Sequence, residues 1–376
     1  MSGEARPGLE GVVVGDQPFC TIDGAKGELR YRGYAVEELV AEASFEEVCW
    51  LLWHGELPTA AELAGLRADL GRSRALPGEV RFLVHGLASR ADPMTALRTL
   101  VSALATSDPG PGLGTDPDGA RTAAVRLCGL LPTAMALFAR VRQGLDEVPP
   151  DPDLDLATDW LRMLRGQLPR DEESRVLDGC LILHAEHGFN ASTFAARCTA
   201  STLADLYAAV TTAVGTLQGP LHGGANTAVM AMLEEIGTPD RIEAWLDEAL
   251  AAKRRIMGFG HRVYRVDDPR GTVLRQMSRD MARVSGDPRW FELSEALAEA
   301  VRRRKPLVIN VDYYSASTYA ALGIPADMFT PLFALARLPG WTAHVLAQYA
   351  DNRLIRPSAG YSGPPPRSVP TREQRS

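Results

Sequence analysis

The run TAAVRLCGLLPTAMALFARV, residues 122–141, places apolar side chains three and four residues apart, and alanine and leucine dominate it. This spacing predicts an amphipathic helix, and both residue types have high helix propensity. The same pattern recurs in FEEVCWLLWHG (45–55), MTALRTLVSALA (94–105), ASTLADLYAAVTTAVGTL (200–217) and IEAWLDEALAAKRR (242–255). We therefore predict a chain that is mostly helical.

Strand-like runs are few and short. GVVV (11–14), FCTID (19–23) and ELRYRG (28–33) predict a small β element near the N-terminus, and PLVINVDYY (306–314) could be extended. Strands do not alternate with helices along the chain, as they would in a nucleotide-binding α/β fold. The predicted fold class is all-α with a minor N-terminal β element.

Two internal segments and the C-terminal tail are predicted to be irregular. DPGPGLGTDPDG (108–119) and GLDEVPPDPDLD (144–155) are rich in glycine, proline and aspartate, which indicates loops. The tail after Pro357 contains too much proline and serine to pack alone. It is predicted either to be disordered or to lie over a partner subunit.

The composition is that of an ordinary globular protein. The 376 residues are 45% hydrophobic and 23% charged, which is typical of a chain with a large core, divided here between two expected domains. The net charge of -7 argues against nucleic-acid binding through the general field of the protein. Any anionic ligand must therefore meet a local basic pocket.

Cysteine usage and the N-terminus indicate a cytoplasmic protein. The five cysteines form no C-x-x-C pair and their number is odd, so we predict reduced core residues rather than disulfides or a metal framework. The N-terminus has no basic region followed by a long apolar one. We also find no uninterrupted apolar run of the roughly 18 residues that would span a membrane.

Histidines provide the first candidate functional groups. Three of the seven lie beside apolar residues in helical runs and are predicted to be structural: His54, His85 and His344. The other four lie in polar, glycine-flanked segments: His184, His187, His222 and His261. His184 and His187, with Glu186 between them, resemble a metal-ligand pair. The spacing differs from the His-Glu-x-x-His pattern of zinc proteases, so metal binding is the weaker alternative.

His222 and Asp312 lie in settings that would change their pKa values. His222, in GPLHGGAN, comes directly before a helical run, whose positive end would lower the imidazole pKa and favour a neutral hydrogen-bond donor. Asp312 lies in the apolar and aromatic run INVDYYSAS, where burial would raise its pKa and make it a stronger base. The structural alternatives are a loop histidine that caps backbone groups and an aspartate satisfied by backbone amides.

Six motifs occur in the order and at the spacing of the citrate synthase family: LHAEHGFNAST, GPLHGGAN, MGFGHRVY followed by DDPR, NVDYYSA, ALARLPGWTAH and NRLIRP. The resemblance runs from about residue 8 to residue 364. It implies a homodimer of helical subunits that joins acetyl-CoA to oxaloacetate. It also implies a large domain of residues 1–217 and 323–376, and a small domain of residues 218–322 that closes over the substrates.

The resemblance implies three catalytic residues. Asp312 would remove a proton from the acetyl methyl group, and His222 would donate a hydrogen bond to the thioester oxygen as it becomes an enol or enolate. His261 would polarise the ketone of oxaloacetate. Hydrolysis of the citryl-CoA thioester would then make the sequence irreversible, and neither a metal nor another cofactor is implied.

The resemblance also implies two sets of substrate-binding residues. Oxaloacetate would be held by His187, Arg270, Arg337 and Arg356, the last contributed across the dimer interface. CoA would be held by Arg255, Ile256, Gly258, Gly260, Arg265 and Lys305. Planar guanidinium groups suit the two carboxylates of oxaloacetate because each can form two parallel hydrogen bonds. The run RRIMGFGHRVYRVDDPR (254–270) would then be a place where both substrates meet.

The acyl group remains an open alternative. This chain has Val308–Ile309 before NVD, where many relatives have an aromatic residue and a proline. 2-Methylcitrate synthases share the same machinery and take propionyl-CoA, which differs by one methylene worth only about 1 to 3 kcal/mol in an apolar pocket. A 2-methylcitrate synthase, or an enzyme with both activities, is therefore the alternative.

Overall fold

The computed structural model describes residues 7–9, 11–107, 115–372 and 375. Within these residues the chain forms sixteen α-helices and a three-stranded sheet. The first eight helices are α1 (Val36–Glu42), α2 (Phe45–His54), α3 (Ala60–Ser73), α4 (Gly78–Ala88), α5 (Pro93–Leu104), α6 (Pro117–Arg142), α7 (Leu156–Arg165) and α8 (Asp171–His184). The other eight are α9 (Ala191–Ser201), α10 (Leu206–Leu217), α11 (Ala225–Ile236), α12 (Ile242–Ala251), α13 (Pro269–Ser285), α14 (Arg289–Arg304), α15 (Val311–Ala321) and α16 (Phe329–Ala350). The predicted all-α fold class is confirmed.

The predicted N-terminal β element is present in part. Strands β1 (Cys20–Asp23), β2 (Glu28–Tyr31) and β3 (Tyr34–Ala35) form an antiparallel sheet in that order. The prediction of a strand in GVVV was wrong. Residues 11–14 are exposed to solvent and pair with no strand in the described part of the chain.

Two of the predicted helical runs are shorter in the structure. The run 200–217 contains the end of α9 and all of α10, because Leu203 has a left-handed backbone with φ of 63° and interrupts the helix. Asp205 then caps α10 by accepting a hydrogen bond from the backbone N–H of Ala208. In the run 242–255, α12 ends at Ala251 and the last residues lie in a loop.

The run PLVINVDYY is extended only in its first half. Ile309 forms an isolated antiparallel bridge with Phe259, and Asn310 then caps α15 by accepting a hydrogen bond from the backbone N–H of Asp312. The prediction of an extended run was therefore wrong from Val311 onward, because the asparagine begins a helix there. As a result, Asp312 lies in the first turn of α15.

The predicted loops and tail are only partly described. Residues 144–155 form an irregular connection, as predicted. Residues 108–114 of the other predicted loop lie outside the described part of the chain, and α6 already begins at Pro117. Residues 351–372 contain no α-helix or strand and are almost entirely exposed.

The core is built around α6 and α16. α16 is buried along nearly its whole length and packs against α2, α6, α8, α9 and α10. α6 contains an 18-residue window with a mean hydropathy of 1.5, so by length and composition it could span a membrane, but 78% of that window is buried inside the fold. We therefore assign α6 as a core helix. The cysteines of the described chain are free, and four of them are buried while Cys198 is half-buried.

Candidate active site

The predicted site residues of five chain segments converge in space. His187 follows α8, His222 precedes α11, His261 lies in the loop before α13, and Asp312 lies in the first turn of α15. Arg337, on α16, donates a hydrogen bond through Nε to the carbonyl of His184 at the end of α8. α15 also packs against α11 and α13, and Nδ2 of Asn310, at its N-terminus, donates to the carbonyl of Gly260 in the loop before α13.

His187 and His261 face each other. Their ring centroids are 5.7 Å apart, and Nε2 of His187 lies 3.4 Å from the hydroxyl of Tyr264. Nδ1 of His261 accepts the backbone N–H groups of Val263 and Tyr264, both at 3.0 Å. In the neutral ring of His261 the proton must therefore lie on Nε2, which is the nitrogen directed toward Asp268.

The surroundings of both histidines favour the neutral ring. Burial, followed by the positive charge of Arg270, lowers the pKa of His261 to about 4. Burial and the charges of Arg270 and Arg337 hold the pKa of His187 well below its ordinary value. Each ring can therefore donate or accept a hydrogen bond without carrying a charge of its own.

His222 contacts the start of α9 rather than its own following helix. Its Nε2 accepts the backbone N–H of Ser192 at 3.3 Å and lies 2.9 Å from the Ser192 hydroxyl oxygen. The Ser192 oxygen also accepts a hydrogen bond from Nε1 of buried Trp341 at 3.1 Å. The neutral ring of His222 therefore carries its proton on Nδ1. Its pKa is lowered to about 4, chiefly by burial and secondly by the charge of Arg337.

Asp312 has the properties of a base kept away from water. Burial raises the pKa of Asp312 to about 7, against the lowering effect of the Arg270 charge. Its Oδ1 is inaccessible to solvent and has no hydrogen-bond partner among the described residues. The alternative of a carboxylate satisfied by backbone amides does not hold for this oxygen.

Arg270 is held by a carboxylate that the sequence analysis did not single out. Asp268 is fully buried, and its oxygens accept Nε of Arg270 at 3.0 Å and Nη2 at 2.6 Å. Burial opposes the charged guanidinium, but the charge and hydrogen bonds of Asp268 outweigh it, and the pKa of Arg270 is raised. Asp268 also caps α13, so the pair is fixed to the start of that helix.

Arg337 is also buried, but it has no such partner. Its side chain is 1% exposed and lies over the ring of Phe333, and among the described residues no carboxylate comes within ion-pair distance of it. Burial lowers the pKa of Arg337, and the charge of Glu186 works against that shift. A buried guanidinium without a carboxylate partner is a favourable place for an anionic ligand.

Of the other four histidines, three contact neighbouring groups within the fold and the fourth is exposed. Nδ1 of buried His184 lies 2.7 Å from the carbonyl of Cys180, and burial lowers the pKa of His184 to about 3. His344 forms a buried pair with Glu186 at 3.1 Å. His54 stacks on Trp50, and His85 is exposed on α4.

A metal at this site does not fit the donor set. His187, His261 and Asp268 offer ligand atoms within 4.8 Å of one another. However, Asp268 already binds Arg270, and a cation there would lie beside a guanidinium whose charge repels it. The predicted pair of His184 and His187 is not supported, because among the described residues no group of three or more candidate metal ligands includes His184.

The candidate CoA residues lie mainly on the surface. Three of them have exposed side chains: Arg255, Arg265 and Lys305. The side chain of Ile256 is buried, so only its backbone could meet a ligand. Gly258 has a structural reason to be glycine, because a Cβ there would lie 2.5 Å from a ring carbon of Tyr313, whereas a Cβ at Gly260 would meet open space. Arg356 is exposed in the tail.

Comparison with known proteins agrees with this arrangement. A family model described as "Citrate synthase, C-terminal domain" matches residues 8–358. The citrate synthase of Haloferax volcanii is 47% identical over 367 residues, which cover 96% of this chain and 97% of that protein. The 2-methylcitrate synthase 2 of Corynebacterium glutamicum is 42% identical over 378 residues, which cover 99% of this chain and 98% of that protein.

A solved structure has the same fold. The citrate synthase of Thermoplasma acidophilum, determined in a ternary complex with carboxymethyl coenzyme A and oxaloacetate, aligns with a TM-score of 0.91 at 32% identity. The alignment covers 99% of this chain and 100% of that one. The chain described here belongs to the citrate synthase family.

Proposed function

We propose that this protein is a citrate synthase, which condenses acetyl-CoA with oxaloacetate and water to give citrate and CoA, the entry reaction of the tricarboxylic acid cycle. The observation that carries the proposal is the grouping of two buried guanidinium groups, neutral histidines and one carboxyl group with a raised pKa. The guanidinium groups suit a dicarboxylate, and the carboxyl group suits the removal of a proton from carbon.

Oxaloacetate binds through its two carboxylates. Arg337 offers a buried positive charge without an ion-pair partner, and Arg270 keeps free N–H groups beyond those that bind Asp268. His187 adds a neutral hydrogen-bonding group beside them. The ketone oxygen then lies next to Nε2–H of His261, which polarises the carbonyl.

The acetyl group is activated between Asp312 and His222. Asp312 takes a proton from the methyl carbon, and the electrons of that C–H bond move toward the thioester oxygen. Nδ1–H of His222 donates a hydrogen bond to that oxygen and stabilises the enolate as it forms. The ring of His222 can serve as a neutral donor because its pKa is lowered to about 4.

Bond formation and hydrolysis complete the reaction. The enolate carbon attacks the ketone carbon of oxaloacetate, and the ketone oxygen becomes an alkoxide that His261 stabilises through its Nε2–H. The alkoxide then gains one proton to become the hydroxyl group of citryl-CoA, which balances the proton that Asp312 took from the methyl group. Water then cleaves the thioester of citryl-CoA and releases citrate and CoA. No step uses a metal or another cofactor, which agrees with the poor fit of a cation beside Arg270.

We further propose a cytoplasmic homodimer in which Arg356 of the partner subunit completes the oxaloacetate pocket. Arg356 is exposed in a tail without regular structure, so it is accessible to a second subunit. Residues 218–322 would form the small domain that closes over the substrates, and the loop and surface residues from Arg255 to Lys305 would hold CoA. Residues 1–217 and 323–376 would form the large domain.

Thiol release tests the reaction and its acyl preference together. We expect purified protein to release CoA from acetyl-CoA only when oxaloacetate is present. We also expect kcat/KM for acetyl-CoA to exceed that for propionyl-CoA by about tenfold or more, since one methylene in an apolar pocket is worth about 1 to 3 kcal/mol. A tenfold preference for propionyl-CoA would identify a 2-methylcitrate synthase instead. Absence of release with either thioester would refute the condensation.

The pH dependence of kcat/KM for oxaloacetate tests Asp312 as the base. A carboxyl group acts as a base only when ionised, and the pKa of Asp312 is raised to about 7. We therefore expect kcat/KM to fall about tenfold per pH unit below pH 7 and to level off above it. The histidines, with pKa values near 4, remain neutral over this range. A flat profile between pH 5.5 and 8 would contradict the assignment.

A further inference from the structure

The turn between β1 and β2 packs against the loop that carries His261. The carbonyl of Gly24 accepts a hydrogen bond from the backbone N–H of Arg265 at 2.8 Å. A Cβ at Gly24 would lie 2.4 Å from the carbonyl oxygen of Val263, which is closer than any side chain could approach. The two backbones can therefore touch only because residue 24 has no side chain.

The same loop residues hold the ring of His261. The N–H groups of Val263 and Tyr264 both donate to Nδ1 of His261. The turn thus contacts Val263 and Arg265 on one side, while Val263 and Tyr264 fix the histidine on the other. A shift of this loop would change both the direction of the His261 ring and the nitrogen that carries its proton.

The turn itself is stiff. The carboxylate of Asp23 accepts the backbone N–H groups of Ala25 at 3.1 Å and Lys26 at 3.0 Å, and the Asp23 carbonyl accepts the N–H of Gly27 at 2.9 Å. These bonds close a compact turn that does not depend on the rest of the protein for its shape.

The strands of the hairpin also contact the segment that precedes His187. The hydroxyl of Tyr31, on β2, donates to the carbonyl of Leu183 and accepts the N–H of Glu186. Cys20, on β1, lies with Sγ 3.6 Å from Oε1 of Glu186. The hairpin therefore joins the segments of both histidines that face each other in the site.

We propose that the β1–β2 turn is a positioning element of the active site, and that Gly24 holds residues 263–265 so that His261 presents Nε2–H to the ketone. The proposal rests on the proposed function for the role of His261, but the contact itself does not. Neither Gly24 nor Asp23 touches substrate in this scheme. They act through the loop.

Gly24→Ala tests the proposal, with Gly15→Ala as the matched control because a Cβ at Gly15 meets nothing within 4 Å. The alanine must push the loop away by about 1 Å, which can cost up to about 100-fold in turnover when a catalytic group moves with it. We expect kcat of Gly24→Ala to fall at least tenfold with a thermal midpoint close to that of the control. Asp23→Ala, which loosens the turn without a clash, should lower kcat in the same direction by less.

Nitrogen NMR of histidine-labelled protein without substrates gives a readout that loss of stability alone would not move. His261 is faced by Asp268, Arg270, His187 and Tyr264, and none of these residues is replaced in the variant. We expect Gly24→Ala to weaken the N–H bonds to Nδ1 and to shift the ring nitrogen signals of His261, whereas Gly15→Ala leaves them as in the wild type.

Two outcomes would overturn the inference: an unchanged His261 signal in Gly24→Ala, or equal kcat values in Gly24→Ala and Gly15→Ala when the wild type is active. If the wild type releases no CoA but the His261 signal shifts in Gly24→Ala, the proposed function fails and the positioning contact stands. The two proposals can thus be judged separately.

Discussion

Replacing Asp312 by asparagine should lower kcat by about 10³-fold while oxaloacetate still binds, because the substitution removes the carboxylate that we propose as the base for the methyl proton. Asparagine has nearly the same shape as aspartate but cannot accept a proton at neutral pH. The rings of His222 and His261 and the guanidinium groups stay in place. Thiol release measures the loss of turnover, and calorimetry with oxaloacetate measures whether the proposed binding remains.

Stability provides a second readout for the same variant. Burial raises the pKa of Asp312, so the ionised carboxylate is disfavoured in the folded protein above pH 7. A neutral amide at this position should therefore leave the thermal midpoint at pH 8 unchanged or raise it. Asp240→Asn, the same chemical change at an exposed carboxylate, should alter neither kcat nor the midpoint. More than a tenth of wild-type turnover in Asp312→Asn would contradict the assigned role.

The sequence predicted the helices well because their apolar periodicity is local. The long run 122–141 lies inside α6, and the short N-terminal strands appear at two of the three predicted places. The two failures have different causes, the first tertiary and the second local. GVVV has strand propensity but no neighbouring strand in the described chain, and the second half of PLVINVDYY becomes helical because Asn310 caps α15.

Within the site, the motifs predict the candidate side chains but not the residues that contact them. The motif GPLHGGAN predicts that its own helix would set the pKa of His222, whereas burial is the largest cause and the start of α9 is what contacts the ring. Ser192 and α9 come from a segment 30 residues earlier, and such a contact leaves no periodic signal in the chain.

The acidic partner of Arg270 lies close to it in the sequence. DDPR places two aspartates directly before the proline and arginine. Only the structure shows that the two aspartates bind different partners. Asp268 is buried and binds Arg270, whereas Asp267 binds exposed Arg302 and the N–H of Ile309. An aspartate directly before a proline is typical of a helix N-cap, and an arginine two residues later is close enough in the chain to be its partner.

Replacing Asp268 by asparagine should lower the free energy of unfolding by about 3 to 5 kcal/mol, because removal of one partner leaves the other charge buried and unpaired. Arg270 is 2% exposed and Asp268 is fully buried, so water cannot replace the lost carboxylate. The asparagine keeps an oxygen that can cap α13, so the loss reports the charge rather than the helix cap. Urea denaturation at a fixed protein concentration measures it.

The matched control is Asp280→Asn, which breaks an ion pair with Arg283 on the exposed surface of the same helix. Solvent and side-chain entropy reduce such a pair to about 0.2 to 1 kcal/mol, so the control should unfold close to the wild type. The effect of Asp268→Asn should also change little with added salt, since a buried pair is poorly screened. If the free energies of unfolding of Asp268→Asn and Asp280→Asn differ by less than about 1 kcal/mol, Arg270 must find another partner. The carboxylate of Asp268 would then not be what stabilises the buried guanidinium of Arg270.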